Sequence, residues 1–209
     1  MSTPRHAPVV PLEAGAGPEN PPCPACGEPL FGWLAKLPGT ERPVRRCESC
    51  GLGVVGGSDG IEEALAALDR LGDREAARLA NRASVACALG SAGWAGLEPG
   101  CAYLFSVESA RRLVAYRDQV VKRARWVPGA SLAATWQTVL NSVTFGHNVA
   151  LGALGAGTAV KAAKPWQRPI DGLISIVLAI PAFAVALPIE LVAGLGGRGA
   201  VVSLKYELL

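Results

Sequence analysis

The sequence predicts an α+β protein that is mainly helical: a small zinc ribbon, then a helical region with a short antiparallel strand pair, and an apolar helical insertion near the C-terminus. Three observations predict this order: two Cys-x-x-Cys pairs, apolar residues at helix spacing in the middle of the chain, and long uncharged stretches after residue 126. Half of the 209 residues are hydrophobic and 18% are charged, below the roughly 25% typical of soluble domains. This composition favours contact with a membrane.

Composition divides the chain into four segments. Residues 1–22 hold six prolines and few large apolar side chains, so we expect a disordered leader. It has no apolar h-region, so we do not expect a signal peptide. Residues 23–57 form the predicted ribbon, residues 58–127 a helical region, and residues 128–209 apolar, membrane-associated helices followed by a terminal strand.

Four cysteines are the strongest signal in the chain. They form two Cys-x-x-Cys pairs separated by twenty residues, and a glycine follows each pair: Cys23, Cys26 and Gly27, then Cys47, Cys50 and Gly51. Each pair points two thiolates at one ion, and the glycine permits the positive φ of the turn. A disulfide pair or a thioredoxin-like redox motif is the alternative, but no βαβ pattern surrounds either pair. The spacing therefore predicts one structural Zn²⁺ bound by four thiolates.

Apolar residues at helix spacing follow the ribbon, at Ile61, Leu65 and Leu68. Ser58 or Asp59 can cap this helix, and Gly72 interrupts it. We expect a second helix over residues 73–89, beginning with Asp73.

A stronger helix signal begins at Ser106, which we predict as an N-cap. The apolar residues of this helix share one face and its arginines the other: Ala110, Leu113 and Val114, against Arg111, Arg112 and Arg117. We interpret the arginines as a solvated basic face.

The last residues of the chain alternate between apolar and polar side chains, which predicts a strand over Val201–Leu208. Such a strand needs a partner, and residues 120–127 show matching alternation together with basic side chains that complement Glu207. We expect the two segments to pair antiparallel. This pairing places both ends of the intervening apolar region on one side of a membrane.

No charged side chain occurs between residues 126 and 160. Ser131 can cap a helix here, and this helix carries a stripe of uncharged polar residues. The stripe comprises Gln137, Asn141, Thr144 and Asn148. It either faces water or headgroups, or it forms hydrogen bonds across a helix pair where charges would cost too much. We expect His147 to belong to this stripe, because no nucleophile or carboxylate pairs with it in sequence.

Residues 172–189 are eighteen residues without a charge, near the minimum for crossing about 30 Å of hydrocarbon. Pro181 and Pro188 would kink this stretch and Glu190 closes it, so a clean span is not expected. We predict membrane contact through five residues: Trp126, Lys161, Lys164, Trp166 and Arg168. Helices lying in the interface of the cytoplasmic face, where thiols stay reduced, satisfy these features. The alternative is one transmembrane helix near residues 172–194.

Short motifs resemble one family. The run Arg46-Cys47-Glu48-Ser49-Cys50-Gly51-Leu52-Gly53, after a first Cys-Pro-Ala-Cys-Gly, is similar to the zinc ribbon that fronts many bacterial class I S-adenosylmethionine-dependent methyltransferases. Residues 94–99 and 103–113 resemble the late segment of that fold, where an aromatic-Phe-Thr/Ser-x-Glu-Ser phrase opens the last helix. Residues 187–199 are similar to an apolar insertion before its last strand. The resemblance implies that residues 58–127 are the helical remnant of a methyltransferase-like domain.

The cofactor-binding half of that family cannot fit, since about forty residues separate the ribbon from the late segment. The family binds its cofactor with an acidic-x-Gly-x-Gly-x-Gly loop after the first strand. The Gly-x-Gly-x-x-Gly string of this chain, formed by Gly51, Gly53 and Gly56, begins at the glycine after the second cysteine pair. The resemblance therefore implies a degenerate methyltransferase, and we expect no S-adenosylmethionine binding.

These features predict a non-enzymatic, membrane-associated zinc-ribbon protein: an adaptor or pseudo-methyltransferase for a partner enzyme, either a methyltransferase or an envelope-biosynthesis enzyme. The alternative is a methyltransferase subunit that completes its S-adenosylmethionine site with a partner chain. We expect no nucleic-acid binding. The formal net charge is only +3, and Arg42, Arg45 and Arg46 lack the interleaved aromatic residues that grip a strand.

Overall fold

The computed structural model describes residues 20–34, 36–57, 60–72, 76–162 and 164–208. In chain order the elements are β1 (Leu30–Leu34), β2 (Val44–Cys47), β3 (Gly53–Val55), α1 (Ile61–Asp69), β4 (Ala76–Ala80), α2 (Val85–Gly90), a 3-10 turn (Ser91–Gly93), β5 (Tyr103–Leu104), α3 (Val107–Ala115), β6 (Gln119–Trp126), α4 (Pro128–Asn141), α5 (Val149–Ala153), α6 (Gln167–Val177), α7 (Ala179–Leu195) and β7 (Val201–Leu208).

The fold is mixed α+β. Within the described ranges it has seven α-helices and two small antiparallel sheets, so the expectation of a mainly helical protein is wrong. Most of the predicted leader, residues 1–19, and the candidate caps Ser58 and Asp59 lie outside the described residues. The first helix begins after Gly60, which makes no side-chain cap.

The first sheet has four strands in the order β1-β2-β3-β5, all antiparallel. The two cysteine pairs lie in turns, one before β1 and the other at the end of β2. Strand β5 comes from beyond the predicted ribbon, and the Val55 amide next to it donates to the carbonyl of Ala102 (2.9 Å). Backbone hydrogen bonds therefore join the ribbon segment to the region that follows it.

The second sheet has three strands in the order β4-β7-β6. It confirms the predicted strand pair, because β6 runs antiparallel to β7 with Trp126 opposite Val202. Lys122 on β6 forms an ion pair with Glu207 at 2.5 Å, so a basic side chain does face this glutamate.

Strand β4 occupies the other edge of β7, and the helix predicted over residues 73–89 is therefore wrong for Ala76–Ala80. Residues 73–75 lie outside the described part of the chain, and among the described residues of this segment α2 is the helical part. The alanine-rich segment carries no strand signal of its own. Ladder hydrogen bonds to β7 and burial of Ala77 and Leu79 on one face make it a strand.

The main core lies where α1 and α3 meet the cysteine turns and the second sheet. Its buried members include Leu65, Leu68, Leu113, Leu204, Cys23, Cys47 and Cys50. The predicted Ser106 cap is confirmed: its Oγ accepts from the Ser109 amide, and the Ser109 Oγ accepts from the Ser106 amide, both at 2.9 Å. The Ser106 hydroxyl also donates to the carbonyl of Cys50 (2.5 Å), which holds α3 against the second cysteine turn.

Helices α4 to α7 are an insertion between β6 and β7. Because Trp126 lies opposite Val202, the chain leaves the second sheet and returns to it at the same end. Helix α4 begins at Pro128 and not at Ser131 as predicted. The buried Ser131 hydroxyl instead accepts from the Val201 amide (2.7 Å) and donates to the Val201 carbonyl (3.0 Å). These bonds fix α4 to the start of β7, and α7 packs along α4.

Candidate functional site

Four thiols meet between the two cysteine turns. The Sγ atoms of Cys23, Cys26, Cys47 and Cys50 all lie within 4.8 Å of one another. Cys23 and Cys50 are 3.5 Å apart, as are Cys26 and Cys47, whereas a disulfide needs about 2.05 Å. All four are free thiols. The sequence thus correctly predicts a group of four cysteines that could hold a metal ion.

The two turns have matching backbone geometry. Gly27 and Gly51 adopt φ of 77° and 74°, the left-handed region that the sequence predicts for the residue after each pair. Each glycine amide donates back to the first cysteine carbonyl of its turn, at 2.8 Å for Gly27 and 3.1 Å for Gly51. The Cys50 amide points at the Cys47 sulfur (3.5 Å). Both turns therefore present their two sulfur atoms towards one centre.

The protonation of the thiols is uneven. A hydrogen bond from Cys23 lowers the pKa of the Cys26 thiol, and the same bond raises the pKa of Cys23. Thiolates at these distances repel one another, so all four ionise together only around a cation. Metal affinity at this centre should accordingly weaken as pH falls.

The second candidate site is an apolar surface on α6 and α7. We use this name for their large exposed side chains: Leu173, Ile176, Val177, Ile180, Phe183, Val185, Leu187, Leu191, Val192 and Leu195. Ile180 is 82% exposed and Leu195 84%. The side chains that these two helices bury are small or polar: Asp171, Ser175, Ala182, Ala186, Glu190 and Ala193. Helices of a protein in water show the reverse pattern.

No single helix in the described part of the chain is long and apolar enough to cross a bilayer. Helices α6 and α7 reach the required length and hydropathy as a pair, and they are bent by 61°. The predicted kink occurs at Pro181 and not at Pro188, because the Pro181 ring has no N–H to donate to the Val177 carbonyl and crowds that carbonyl. The bend lies at Leu178, Pro181 sits in the first turn of α7, and α7 continues through Pro188.

Two buried carboxyl groups accept hydrogen bonds that connect these helices to the rest of the protein. Glu190 is 1% exposed; it accepts from the Trp126 indole (2.9 Å), the Thr135 hydroxyl (2.5 Å) and the Ala200 amide (3.0 Å). Asp171 accepts from the amides of Phe145 (2.8 Å) and Gly146 (2.9 Å). From sequence alone, Glu190 marks only the end of an apolar stretch, and Asp171 immediately precedes that stretch. An acidic residue beside such a stretch is itself a signal for an internal partner.

The five predicted membrane-contact residues do not lie together. Lys161, Lys164, Trp166 and Arg168 are exposed ahead of or at the start of α6, and Trp166 meets the exposed Phe145 ring edge-on, with centroids 5.9 Å apart. Trp126 is half-buried at the far end of α7. A Cβ on Gly194 or Gly199 would come within 2.3 Å of its ring, so these glycines allow Trp126 to reach Glu190. Membrane contact through these residues stays a prediction.

The polar stripe predicted for one helix is divided, because α4 ends at Asn141, Thr144 follows it and Asn148 precedes α5. Gln137, Asn141 and Asn148 are nevertheless joined by hydrogen bonds inside the protein. Gln137 donates to Asn141 (2.8 Å), and Asn141 donates to Asn148 (3.0 Å) and approaches Nδ1 of His147 at 3.3 Å. Gln137 also accepts from the Leu151 amide of α5 (2.7 Å). Of the two interpretations of the stripe, hydrogen bonding between helices is therefore confirmed and exposure to water is wrong. His147 belongs to this network, as predicted.

His147 should make stability depend on pH. Its burial lowers its pKa to about 4, from an ordinary value of 6.5. Between these values the unfolded chain binds a proton that the native chain excludes, so stability is lost as pH falls through this window. We expect a loss on the order of 3 kcal/mol between pH 7 and pH 4 through this group.

Urea denaturation of the wild type and of His147→Gln at both pH values measures this effect. The variant should lose the His147 contribution, whereas protonation of the cysteines affects both proteins alike. Identical pH dependences for the two proteins would contradict the assignment.

Comparisons with protein-family models, with curated proteins and with solved structures found no match.

Proposed function

We propose that this chain is a non-enzymatic, membrane-associated zinc-ribbon protein of the cytoplasmic face, and that α6 and α7 insert shallowly into the lipid. One observation carries the proposal: these helices bury small or polar side chains and expose large apolar ones. Exposing such side chains to water costs about 25 cal/mol per Å². Membrane helices pack through small residues and internal hydrogen bonds, which is how α7 meets α4 through its alanines and through Glu190 and Thr135.

The connection to the second sheet supports shallow insertion. The chain between β6 and β7 leaves and re-enters at paired residues, so both ends of the insertion lie on one side of any membrane. A bend of 61° between α6 and α7 suits helices that enter one leaflet and return. Trp166 and three exposed basic residues near it, Lys161, Lys164 and Arg168, are the residue types that bind lipid headgroups.

Zinc is the metal that we propose for the four-cysteine centre. Zn²⁺ bound by four thiolates at about 2.3 Å places neighbouring sulfur atoms about 3.8 Å apart. The cross-turn distances of 3.5 Å and the largest separation of 4.8 Å bracket this value. Thiolates also favour zinc over magnesium or calcium.

The role that we propose, as an adaptor or pseudo-methyltransferase, is non-enzymatic, and neither the metal centre nor His147 requires a catalytic function. Four thiolates complete the coordination of Zn²⁺ and leave no open position for a substrate. His147 is buried in a structural network. We infer that the ribbon and the two sheets stay outside the lipid, where a partner enzyme can bind them.

The methyltransferase resemblance, and with it the alternative of a methyltransferase subunit, stays a prediction. All strand pairs among the described residues are antiparallel. Doubly wound nucleotide-binding folds are built on a mostly parallel sheet, so the observed pairing adds no support to that alternative.

Flotation of the full chain with phosphatidylcholine–phosphatidylglycerol vesicles tests the proposal. We expect the wild type to float, and Ile180→Asp to bind at least about tenfold more weakly, because it removes an exposed apolar side chain that would enter the lipid and adds a charge. Ile180 makes little contact inside the protein, so the fold should survive the change.

Leu89→Asp is the matched control. Leu89 on α2 is 67% exposed and lies outside the apolar surface, so this variant should float like the wild type. Equal flotation of both variants would contradict the proposal. A wild type that stays soluble without detergent as a monomer would also contradict it. If instead the apolar surface is covered by a second copy, sedimentation would show a dimer that Ile180→Asp dissociates.

A further inference from the structure

A cleft of about 1120 Å³ lies between the second cysteine turn and the C-terminal end of α7. The loop between β4 and α2 and the start of α3 complete its walls. Neither the metal centre nor the apolar surface explains why charged side chains line this cleft. Its charged lining residues are Arg46, Glu48, Arg82, Glu108, Arg111 and Arg198.

The cleft has a surplus of positive charge. Arg46 pairs with Glu48 (2.6 Å), and Arg111 lies 3.9 Å from Glu108. No carboxylate in the described part of the chain forms an ion pair with Arg82 or Arg198. Two guanidinium groups in one cleft therefore have no carboxylate partner among the described residues, and the net negative charge of a Zn²⁺ ion with four thiolates would act on Arg82 through Cys47.

Both guanidinium groups are held in place by the protein. Arg82 stacks on the Trp33 ring, 4.8 Å from its centroid, and its buried Nε has no hydrogen-bond partner among the residues that the structure describes. Arg198 donates from Nε to the Ala83 carbonyl (3.3 Å). Guanidinium forks match the oxygen atoms of phosphate, and fixing them in advance reduces the entropy lost on binding. A phosphate monoester carries about −1.5 to −2 charges, so it can accept from both guanidinium groups at once.

The cleft opens onto the apolar surface. Leu195 lines the cleft and is also one of the most exposed residues of α7, with Leu191 and Val192 one turn before it. A molecule that carries both a phosphate and hydrocarbon chains would satisfy the arginines and cover these side chains together. A free phosphate ion would satisfy only the arginines.

We infer that this cleft binds the phosphate monoester headgroup of a membrane lipid, with Arg82 and Arg198 on the phosphate and the hydrocarbon chains along α7. This inference rests on the proposed membrane association. The proposed function requires only insertion into a bilayer, whereas this inference requires the protein to recognise lipids with a phosphate monoester headgroup.

Flotation of the zinc-loaded full chain tests this with three kinds of vesicle: phosphatidylcholine alone, and phosphatidylcholine with phosphatidic acid or with phosphatidylglycerol at equal surface charge. We expect the wild type to prefer phosphatidic acid. Arg82→Gln and Arg198→Gln should each weaken that binding about tenfold or more and leave binding to phosphatidylcholine unchanged. Arg70→Gln, an exposed arginine that does not line the cleft, is the control with the same loss of charge and should keep the preference.

Several outcomes would overturn the inference. Equal binding to both anionic vesicles, with equal losses in all three variants, would indicate simple attraction to surface charge. If Arg82→Gln loses zinc and Arg198→Gln still prefers phosphatidic acid, the role of Arg82 is to stabilise the negative charge of the metal centre and not to bind lipid. Inorganic phosphate that binds the lipid-free chain as tightly as phosphatidic acid vesicles do, and that loses this binding in Arg82→Gln and Arg198→Gln, would assign the cleft to free phosphate. Absence of flotation with every vesicle would contradict the proposed function and this inference together.

Discussion

Cys47→Ser should remove the metal and destabilise the whole chain. Cys47 is fully buried, and its sulfur belongs to the core cluster that also holds Leu65, Leu113 and Leu204. A structural zinc site contributes about 10–16 kcal/mol of apparent binding free energy in zinc-finger peptides. We expect the free energy of unfolding to fall by at least about 5 kcal/mol, with zinc content falling from one ion per chain to none. Metal analysis and thermal denaturation of the purified chain measure both.

Cys87→Ser is the matched control. Cys87 is also a buried free thiol, but it lies outside the four-cysteine group. This variant should keep one zinc ion and lose only about 1 kcal/mol. Full zinc content in Cys47→Ser would contradict the zinc assignment. Loss of zinc with an unchanged melting temperature would show that the ion does not stabilise the core.

The elements that the sequence predicts well have local signals. The Ser106 helix has a cap and an apolar face, and the cysteine turns have spacing and glycines. Strand β7 alternates, and its charge at Glu207 is complemented by Lys122. Apart from the charge pair between β6 and β7, each of these signals lies within a few residues along the chain, so sequence alone is sufficient to find it.

The elements that the sequence does not predict depend on distant partners. Strand β4 has alanine-rich residues that suit a helix, and only β7 makes it a strand. Helix α7 is apolar on all sides, so periodicity cannot indicate which face is buried; its alanines are buried because α4 lies against them. The roles of Glu190 and Arg82 likewise depend on groups from other elements.

Glu190→Ala should be the most damaging change in the insertion. Glu190 accepts three hydrogen bonds: from β6 through Trp126, from α4 through Thr135, and from the backbone before β7 through Ala200. Removing the carboxyl group leaves three donors inside the protein without an acceptor, and each unsatisfied donor costs about 1–3 kcal/mol of stability. We expect a loss of about 3–5 kcal/mol in the free energy of unfolding, measured by urea denaturation in a mild detergent.

Glu207→Ala is the control, because that glutamate is exposed and its ion pair with Lys122 should contribute less than about 1 kcal/mol. The loss in the free energy of unfolding for Glu190→Gln should lie between those for Glu190→Ala and Glu207→Ala. Its amide oxygen still accepts a hydrogen bond, whereas its NH₂ group faces a donor. A loss in Glu190→Ala no larger than in Glu207→Ala would contradict the internal role. Glu190→Ala leaves every side chain of the apolar surface in place, so we expect it to bind vesicles like the wild type. Stability and membrane binding would then respond to opposite faces of the same helix.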